Sequence, residues 1–203
     1  MSDFTKDDVV VEKREVLFKG FYRVDKLHLR HRQFAGGMGG LITREMFVRH
    51  PAVGVLVYDA DADEVLLIEQ FRVGALETVH PWQYEIVAGL VEPGEGLEEV
   101  ARREAMEEAG VAVGPLEKVM DFLPSPGGSD ELFTLFVGQA DLGAAGGIHG
   151  LPGEGEDIRV NVMSLNQALA ALQRGRINNA PCIIALQWLA LNKPRLQARW
   201  KRK

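Results

Sequence analysis

The stretch of sequence that decides the fold runs from Gly89 to Val111 and reads GLVEPGEGLEEVARREAMEEAGV. Roughly residues 96–109 have the composition and spacing of a helix. Gly110 ends that helix, because a glycine just past the last turn is a common helix stop. This stretch therefore predicts a loop of glycines and acidic residues that leads directly into a helix.

One stripe of this helix changes character along its length. On a helical wheel with about 100° per residue, Glu104, Glu107 and Glu108 fall on the same stripe as Leu97 and Val100. Acidic residues therefore stand where an apolar, buried stripe would otherwise continue. Like charges four residues apart repel, and it costs free energy to remove unpaired carboxylates from water.

The opposite face of the helix has a conventional solvated pattern. Glu98 and Arg102, and Glu99 and Arg103, are pairs at i,i+4 in the favourable order. A divalent cation would remove the repulsion on the acidic stripe, since Mg²⁺ prefers hard oxygen ligands. An acidic surface helix explains the same pattern, because charge runs are usually solvated faces. Helix geometry alone does not decide between these two interpretations.

Length and composition indicate an ordinary globular protein. The chain has 203 residues, 46% of them apolar and 26% charged, which suits one domain with at most a small extension. Its net charge of −6 argues against nucleic-acid binding. With one cysteine, Cys182, no internal disulfide can form, and its apolar neighbours predict a buried, inert thiol. The polar N-terminus is no signal peptide, and no apolar run reaches the roughly 20 residues of a membrane span, so we expect a cytoplasmic protein.

The rest of the chain predicts a mixed sheet with helices packed on its faces, of the α/β or α+β class. Residues 9–48 are β-rich, and two apolar runs around the acidic turn at 59–63 predict a hairpin. We predict the later elements as strands at Val119–Leu123, Leu132–Val137 and Ile158–Met163, and as helices at Asn166–Gln173 and Pro181–Leu191.

The spacing within the opening stretch resembles a complete Nudix box. Gly89, five residues, Glu95, seven residues and then REAMEEAGV from Arg103 fill every fixed position of that pattern. The resemblance implies a Nudix fold, an α/β/α sandwich around a mixed sheet. It also implies Mg²⁺-dependent hydrolysis of a nucleoside diphosphate that is linked to another moiety.

The resemblance also implies roles for residues in and beside the box. Glu104, Glu108 and the carbonyl of Ala88 correspond to metal ligands. Glu107 corresponds to a further ligand or supporting carboxylate, and Arg103 to the residue that orients the carboxylates by ion pairing. Two or more ions of Mg²⁺, or of Mn²⁺, would bind there.

Motifs outside the box resemble bacterial ADP-ribose pyrophosphatases, in order and spacing, from about residue 12 to 198. They include Glu69-Gln70-Phe71-Arg72, Ser125-Pro126-Gly127-Gly128 and the loop 147–160, and Pro126 follows the box by about sixteen residues, as in that subfamily. By position, Glu154 corresponds to the catalytic base and Glu156 to another metal ligand. The positions of substrate contacts are Phe21, Tyr22, Arg44, Glu45, Arg72, Leu90, Ser125, Pro126, Gly127 and Glu131.

The same resemblance implies a domain-swapped homodimer. Residues 1–48 would form the β-rich segment that is swapped, and residues 49–203 the Nudix hydrolase domain. Several substrate contacts would then come from the partner subunit.

Other functions remain open at this point. The substrate could be GDP-mannose, UDP-glucose or NADH instead of ADP-ribose. A protein that senses ADP-ribose without cleaving it could dispense with its carboxylates, but here the box and loop carboxylates are all present. A structural interaction protein has no positive support in the sequence.

Overall fold

The structure is a computed structural model that describes residues 3–151, 153 and 155–201. Its strands are β1 (Val9–Lys19), β2 (Arg23–His31), β3 (Ile42–Val48), β4 (Ala52–Asp59), β5 (Glu64–Phe71), β6 (Trp82–Glu85), β7 (Val87–Leu90), β8 (Leu116–Phe122), β9 (Phe133–Gln139), β10 (Gly147–His149) and β11 (Ile158–Ser164). Its α-helices are α1 (Leu97–Ala109), α2 (Leu165–Gln173) and α3 (Ala180–Trp200).

Eight strands form a mixed sheet in the order β10-β11-β5-β4-β9-β8, with β6 paired to β5 and β7 paired to β4. β4 and β9 run parallel, and the other pairs in this sheet are antiparallel. Every residue of β4 is buried, as its continuous apolar run predicts.

The two faces of the large sheet are covered by different helices. Val53, Val55 and Val57 of β4 pack in one apolar layer with α1. Leu56 and Tyr58, which alternate with them, pack in the other layer with α2 and α3. Helices on both faces of a mixed sheet confirm the predicted fold class.

A second, smaller sheet consists of β1, β2 and β3 in that order. It belongs to a compact unit made of Met1–His50 and Leu123–Glu131, and the rest of the chain forms the other unit. In this smaller unit the apolar residues of β1 are exposed, among them Val11, Val16 and Phe18. The division into a swapped segment, residues 1–48, and a hydrolase domain, residues 49–203, stays a prediction.

Two details differ from the elements that the sequence predicts. The short strands β6, β7 and β10, of three or four residues each, were not predicted. The last helix continues past the predicted end at Leu191 to Trp200, although Pro194 lies inside it. Leu196 and Trp200 are buried on the sheet, and this packing outweighs the backbone hydrogen bond that a proline removes.

Cys182 is buried as predicted, and burial raises the pKa of its thiol. In the described part of the chain, no helix combines the length and hydropathy needed to cross a bilayer.

Candidate metal and substrate site

Helix α1 is fixed in rotation by its apolar stripe. Val100, Ala101, Ala105 and Ala109 are buried against the large sheet. Gly110 ends the helix in the left-handed conformation, with φ of 64°, as a glycine at this position allows. The acidic stripe, which continues the apolar one, therefore lies next to β7.

Gly89 of β7 leaves the space that Glu104 occupies. A Cβ atom at position 89 would lie 1.7 Å from Oε1 of Glu104 and 2.0 Å from its Cδ. Any larger residue would therefore displace the carboxylate. The first glycine of the motif is thus required by a side chain on α1, 15 residues later in the chain.

Glu108 is the most enclosed member of the acidic stripe. It is 4% exposed, and its Oε2 accepts a hydrogen bond of 3.0 Å from the backbone N–H of Ala88. Burial raises the pKa of this carboxyl to about 8, the Ala88 hydrogen bond opposes that shift, and the charges of Glu104 and Glu156 add to it. Burial also raises the pKa of Glu104.

Arg103 links three carboxylates of the motif. Its Nη1 donates to Glu104 at 2.8 Å and to Glu107 at 3.2 Å, and its Nε and Nη2 donate to Glu95 at 3.2 and 3.3 Å. Glu95 also accepts from the N–H of Glu92, which fixes the turn before the helix. Arg103 thus pairs with carboxylates of the motif, whereas Glu99, which its i,i+4 spacing paired with Arg103, instead accepts a hydrogen bond from the N–H of Gly96.

The loop after β10 contributes a further carboxylate. Glu156 accepts a hydrogen bond of 3.0 Å from the N–H of Leu151, and its charge acts on Glu104 and Glu108. His149, the last residue of β10, packs against Gly110 at the end of α1. Glu154, the predicted catalytic base, lies outside the described residues.

The donor set suits a hard divalent cation. Oxygen ligands come from several carboxylates that repel one another, and one of them is almost fully buried, so added positive charge would stabilise all of them. Among the described residues, no three such side chains already surround one point as a finished ligand set. Each carboxylate instead has a partner in the protein: Glu104 has Arg103, Glu108 has the Ala88 N–H, and Glu156 has the Leu151 N–H.

This chain is similar to known proteins over most of its length. The pattern of the NUDIX domain matches residues 48–186. An ADP-ribose pyrophosphatase of Escherichia coli (strain K12) is 48% identical over 198 residues, which are 97% of this chain and 95% of that protein. The chain belongs to the NUDIX family.

Two further proteins of the family illustrate its range. An ADP-ribose pyrophosphatase of Haemophilus influenzae is 41% identical over 98% of this chain and 94% of its own length. A GDP-mannose pyrophosphatase of Cronobacter sakazakii is 37% identical over 73% of this chain and 78% of its own. A solved structure described as an ADP compounds hydrolase has a TM-score of 0.71 at 20% identity, over 96% of this chain and 97% of that one, which supports the fold.

Most of the predicted substrate contacts of this NUDIX protein lie in the smaller unit. A cavity of about 360 Å³ there is lined by Arg44, Glu45, Pro126 and Gly127. Its apolar wall comes from β2 and β3, and its far side is the turn that follows Ser125. The smaller unit thus brings two separate segments of the predicted set together.

Three further contacts predicted in this unit, Phe21, Tyr22 and Glu131, meet around a residue that the sequence did not single out. Arg49 forms an ion pair of 2.9 Å with Glu131 and lies 5.2 Å from the ring centroid of Tyr22. Phe21 packs edge-on against Tyr22 and is 89% exposed. Arg49 could not be found from the sequence, because a single arginine after the apolar residues that end β3 forms no recognisable motif.

Arg72 and Leu90, the other two predicted contacts, lie in the larger unit. Arg72 directly follows β5. Burial lowers its pKa, but the charge and hydrogen bond of Glu85 outweigh burial, so the pKa of Arg72 lies above its usual value. Glu108 and Glu156 also act on Arg72. Leu90 ends β7 and is 41% exposed, directly after the glycine that contacts Glu104.

Gly89→Ala tests the contact between β7 and the acidic stripe. The added Cβ forces the Glu104 carboxylate away, so we expect Mg²⁺ affinity to fall roughly tenfold or more, as for other groups that orient metal ligands. Isothermal titration calorimetry with Mg²⁺ measures this, beside an unfolding curve for each variant. Gly74→Ala, where a Cβ meets nothing within 4 Å, is the matched control. Wild-type Mg²⁺ affinity in Gly89→Ala would separate Glu104 from the metal site.

Proposed function

We propose that this protein hydrolyses the pyrophosphate bond of ADP-ribose to AMP and ribose 5-phosphate, and that the reaction requires Mg²⁺. The observation that carries the proposal is the complete acidic stripe, packed on β7 with Glu108 buried. Similarity over almost the whole chain to ADP-ribose pyrophosphatases supports this choice of substrate.

The residues proposed to hold two or more Mg²⁺ ions are Glu104, Glu108, Glu156 and the backbone carbonyl of Ala88, with Mn²⁺ as an alternative ion. Bound Mg²⁺ supplies positive charge that stabilises the pyrophosphate oxygens and lowers the pKa of a bound water. Arg103 keeps Glu104 and Glu107 in place through its hydrogen bonds. Water attacks a phosphorus of the pyrophosphate, the bond to the bridging oxygen breaks, and two phosphate monoesters leave.

Glu154 is the proposed general base. A carboxylate in hydrogen-bond reach of the attacking water accepts its proton as the new P–O bond forms. This role is supported by the position of Glu154 in the sequence, two residues before Glu156, whose charge acts on Glu104 and Glu108.

We also propose a cytoplasmic homodimer. The exposed apolar residues of β1 support the homodimer, because an apolar surface of this kind often marks a place where another chain binds. Substrate contacts from the smaller unit would then complete the site of the partner subunit.

GDP-mannose is the second candidate substrate. A GDP-mannose pyrophosphatase is 37% identical over 73% of this chain, so the same metal chemistry serves both sugar nucleotides. The two substrates differ in the base and the sugar, whereas the proposed metal ions act on the pyrophosphate that both share.

The deciding experiment is product analysis of the purified protein with Mg²⁺ and a panel of ADP-ribose, GDP-mannose, UDP-glucose and NADH. We expect fast release of AMP from ADP-ribose and its complete loss with EDTA. Preference for another sugar nucleotide would keep the chemistry and change the substrate. Tight ADP-ribose binding without any turnover would indicate a sensor.

Glu108→Gln keeps the shape of the buried side chain but removes its charge. We expect kcat to fall by about 10² or more, because electrostatic stabilisation of the transition state is lost. Steady-state kinetics with ADP-ribose measures the loss. Glu98→Gln is the control, because Glu98 lies on the solvated face and is 63% exposed at its side chain. Activity within about threefold of wild type in Glu108→Gln would contradict the metal assignment.

Glu154→Gln separates the base from the metal ligands. We expect a large fall in kcat with little change in Mg²⁺ affinity, because the amide cannot accept the proton but does not belong to the ligand set. Kinetics and Mg²⁺ titration of the same sample measure both. A wild-type rate would move the base to another residue, with Glu156 or Glu107 the next candidates.

The proposed dimer predicts complementation between two inactive variants. Arg44→Ala lacks a substrate contact of the smaller unit, and Glu108→Gln lacks a metal ligand of the larger unit. If each site uses both subunits, dimers re-formed from a mixture contain some intact sites and regain part of the activity. Sedimentation analysis gives the mass of the wild type. A monomer, or a mixture as inactive as its components, would argue against shared sites.

A further inference from the structure

Among the residues that the structure describes, the guanidinium of Arg72 is held along one edge. Its Nε and Nη2 lie 2.9 and 2.8 Å from the same atom, Oε2 of Glu85. A guanidinium is a planar fork whose second edge, Nη1 with the outer proton of Nη2, can bind another oxygen anion. Glu85 thus fixes the plane of Arg72 and leaves that second edge free of Glu85.

Sheet register places this ion pair on the face that carries the acidic stripe. Glu85 is the partner of Ile68 in the pairing of β5 with β6. Ile68 packs in the apolar layer with α1, and side chains of paired residues lie on the same face of a sheet. Arg72 is close enough to the stripe that the charges of Glu108 and Glu156 act on it.

The environment of Glu85 makes this pair different from an ordinary surface ion pair. The side chain of Glu85 is 17% exposed, whereas that of Arg72 is 46% exposed. Glu85 is therefore the mostly buried member of the pair, and Arg72 is the more exposed member. A pair with one buried member is screened less by water and salt than a fully exposed one.

Arg72 would have competing acceptors without this anchor. Glu108 and Glu156 are carboxylates within electrostatic reach, and Glu108 is almost fully buried with an unfavourable charge. A guanidinium free to rotate would be drawn to them and would neutralise the charge on which a metal site depends. Glu85 opposes this rotation because it binds Nε and Nη2 of Arg72.

We propose that Glu85 is a positioning residue, which orients Arg72 towards a phosphate group of the substrate and keeps it away from the metal-binding carboxylates. The inference rests on the proposed function, since it assigns the open edge of Arg72 to the pyrophosphate substrate. Glu85 itself contacts no reacting atom. Its effect passes through Arg72 and belongs to substrate binding.

The large sheet contains a matched control for this pair. Glu69, on the same strand as Ile68, is nine-tenths buried and forms ion pairs with Arg159 and with Arg176, the latter at 2.6 Å. It alternates with Ile68 along β5 and therefore lies on the opposite face, next to a cavity of about 540 Å³. Glu69→Gln removes a buried carboxylate from an arginine pair without touching the acidic face.

The experiment compares Glu85→Gln with Glu69→Gln in ADP-ribose kinetics. We expect Glu85→Gln to raise KM about tenfold, as a lost uniform binding interaction does, with a smaller change in kcat and an unchanged Mg²⁺ requirement. Glu69→Gln should change stability only. If both variants lose activity in proportion to their lower stability, the role of Glu85 is structural and the proposal is wrong.

A double-mutant cycle with Arg72→Ala shows whether Glu85 acts through Arg72. In the Arg72→Ala background, Glu85→Gln should add no further rise in KM, because the group that it positions is gone. Independent, additive losses would overturn the proposal, and so would KM within about twofold of wild type for Glu85→Gln alone.

The wild-type panel separates failure of this inference from failure of the proposed function. If the wild type prefers another sugar nucleotide, the same cycle is measured with that substrate, because the pyrophosphate is common to all of them. If the wild type cleaves none, the proposed function is wrong, and the cycle is measured on the Kd of ADP-ribose by calorimetry. Equal Kd values for wild type and Glu85→Gln would then overturn the positioning role as well.

Discussion

The burial of the Glu108 carboxylate between α1 and β7 is the constraint on which the rest of the site depends. A carboxylate that is 4% exposed needs a donor, and the backbone N–H of Ala88 supplies one. This contact requires α1 to lie close to β7, and such closeness is possible only because Gly89 has no side chain. One hydrogen bond and one glycine therefore fix the distance between helix and sheet. Glu104 and its partner Arg103 take their positions from that distance.

The sequence predicts this part of the molecule well because its determinants are local. The spacing of Glu104 and Glu108 on one helical stripe follows from 3.6 residues per turn, and Gly110 ends the helix where expected. The need for Gly89 could not be derived in this way, since the atom that excludes a Cβ belongs to Glu104 in another element. Resemblance to the family supplied that position, and the structure gives its physical reason.

Other features escaped prediction because they depend on contacts between distant segments. Glu85 is a single acidic residue in the apolar run from Tyr84 to Ala88, and only the pairing of β6 with β5 reveals Arg72 as its partner. The extension of α3 past Pro194 depends on packing against the sheet, which a local rule for proline cannot include. In each case the local signal was correct for an isolated segment, and tertiary contacts outweighed it.

The charges around the acidic stripe suggest why its two neighbouring arginines each have a second acidic partner. Arg103 shares its guanidinium with Glu95, and Arg72 is bound to Glu85. Arginines bound only to the stripe would neutralise it and leave nothing for a divalent cation to stabilise. Because each guanidinium binds a carboxylate outside the stripe, the stripe is not fully neutralised; burial raises the pKa of Glu108, and the charges of Glu104 and Glu156 raise it further. The free energy that burial of this charge costs is then recovered when a cation binds, which makes the affinity for metal a consequence of how the arginines are held.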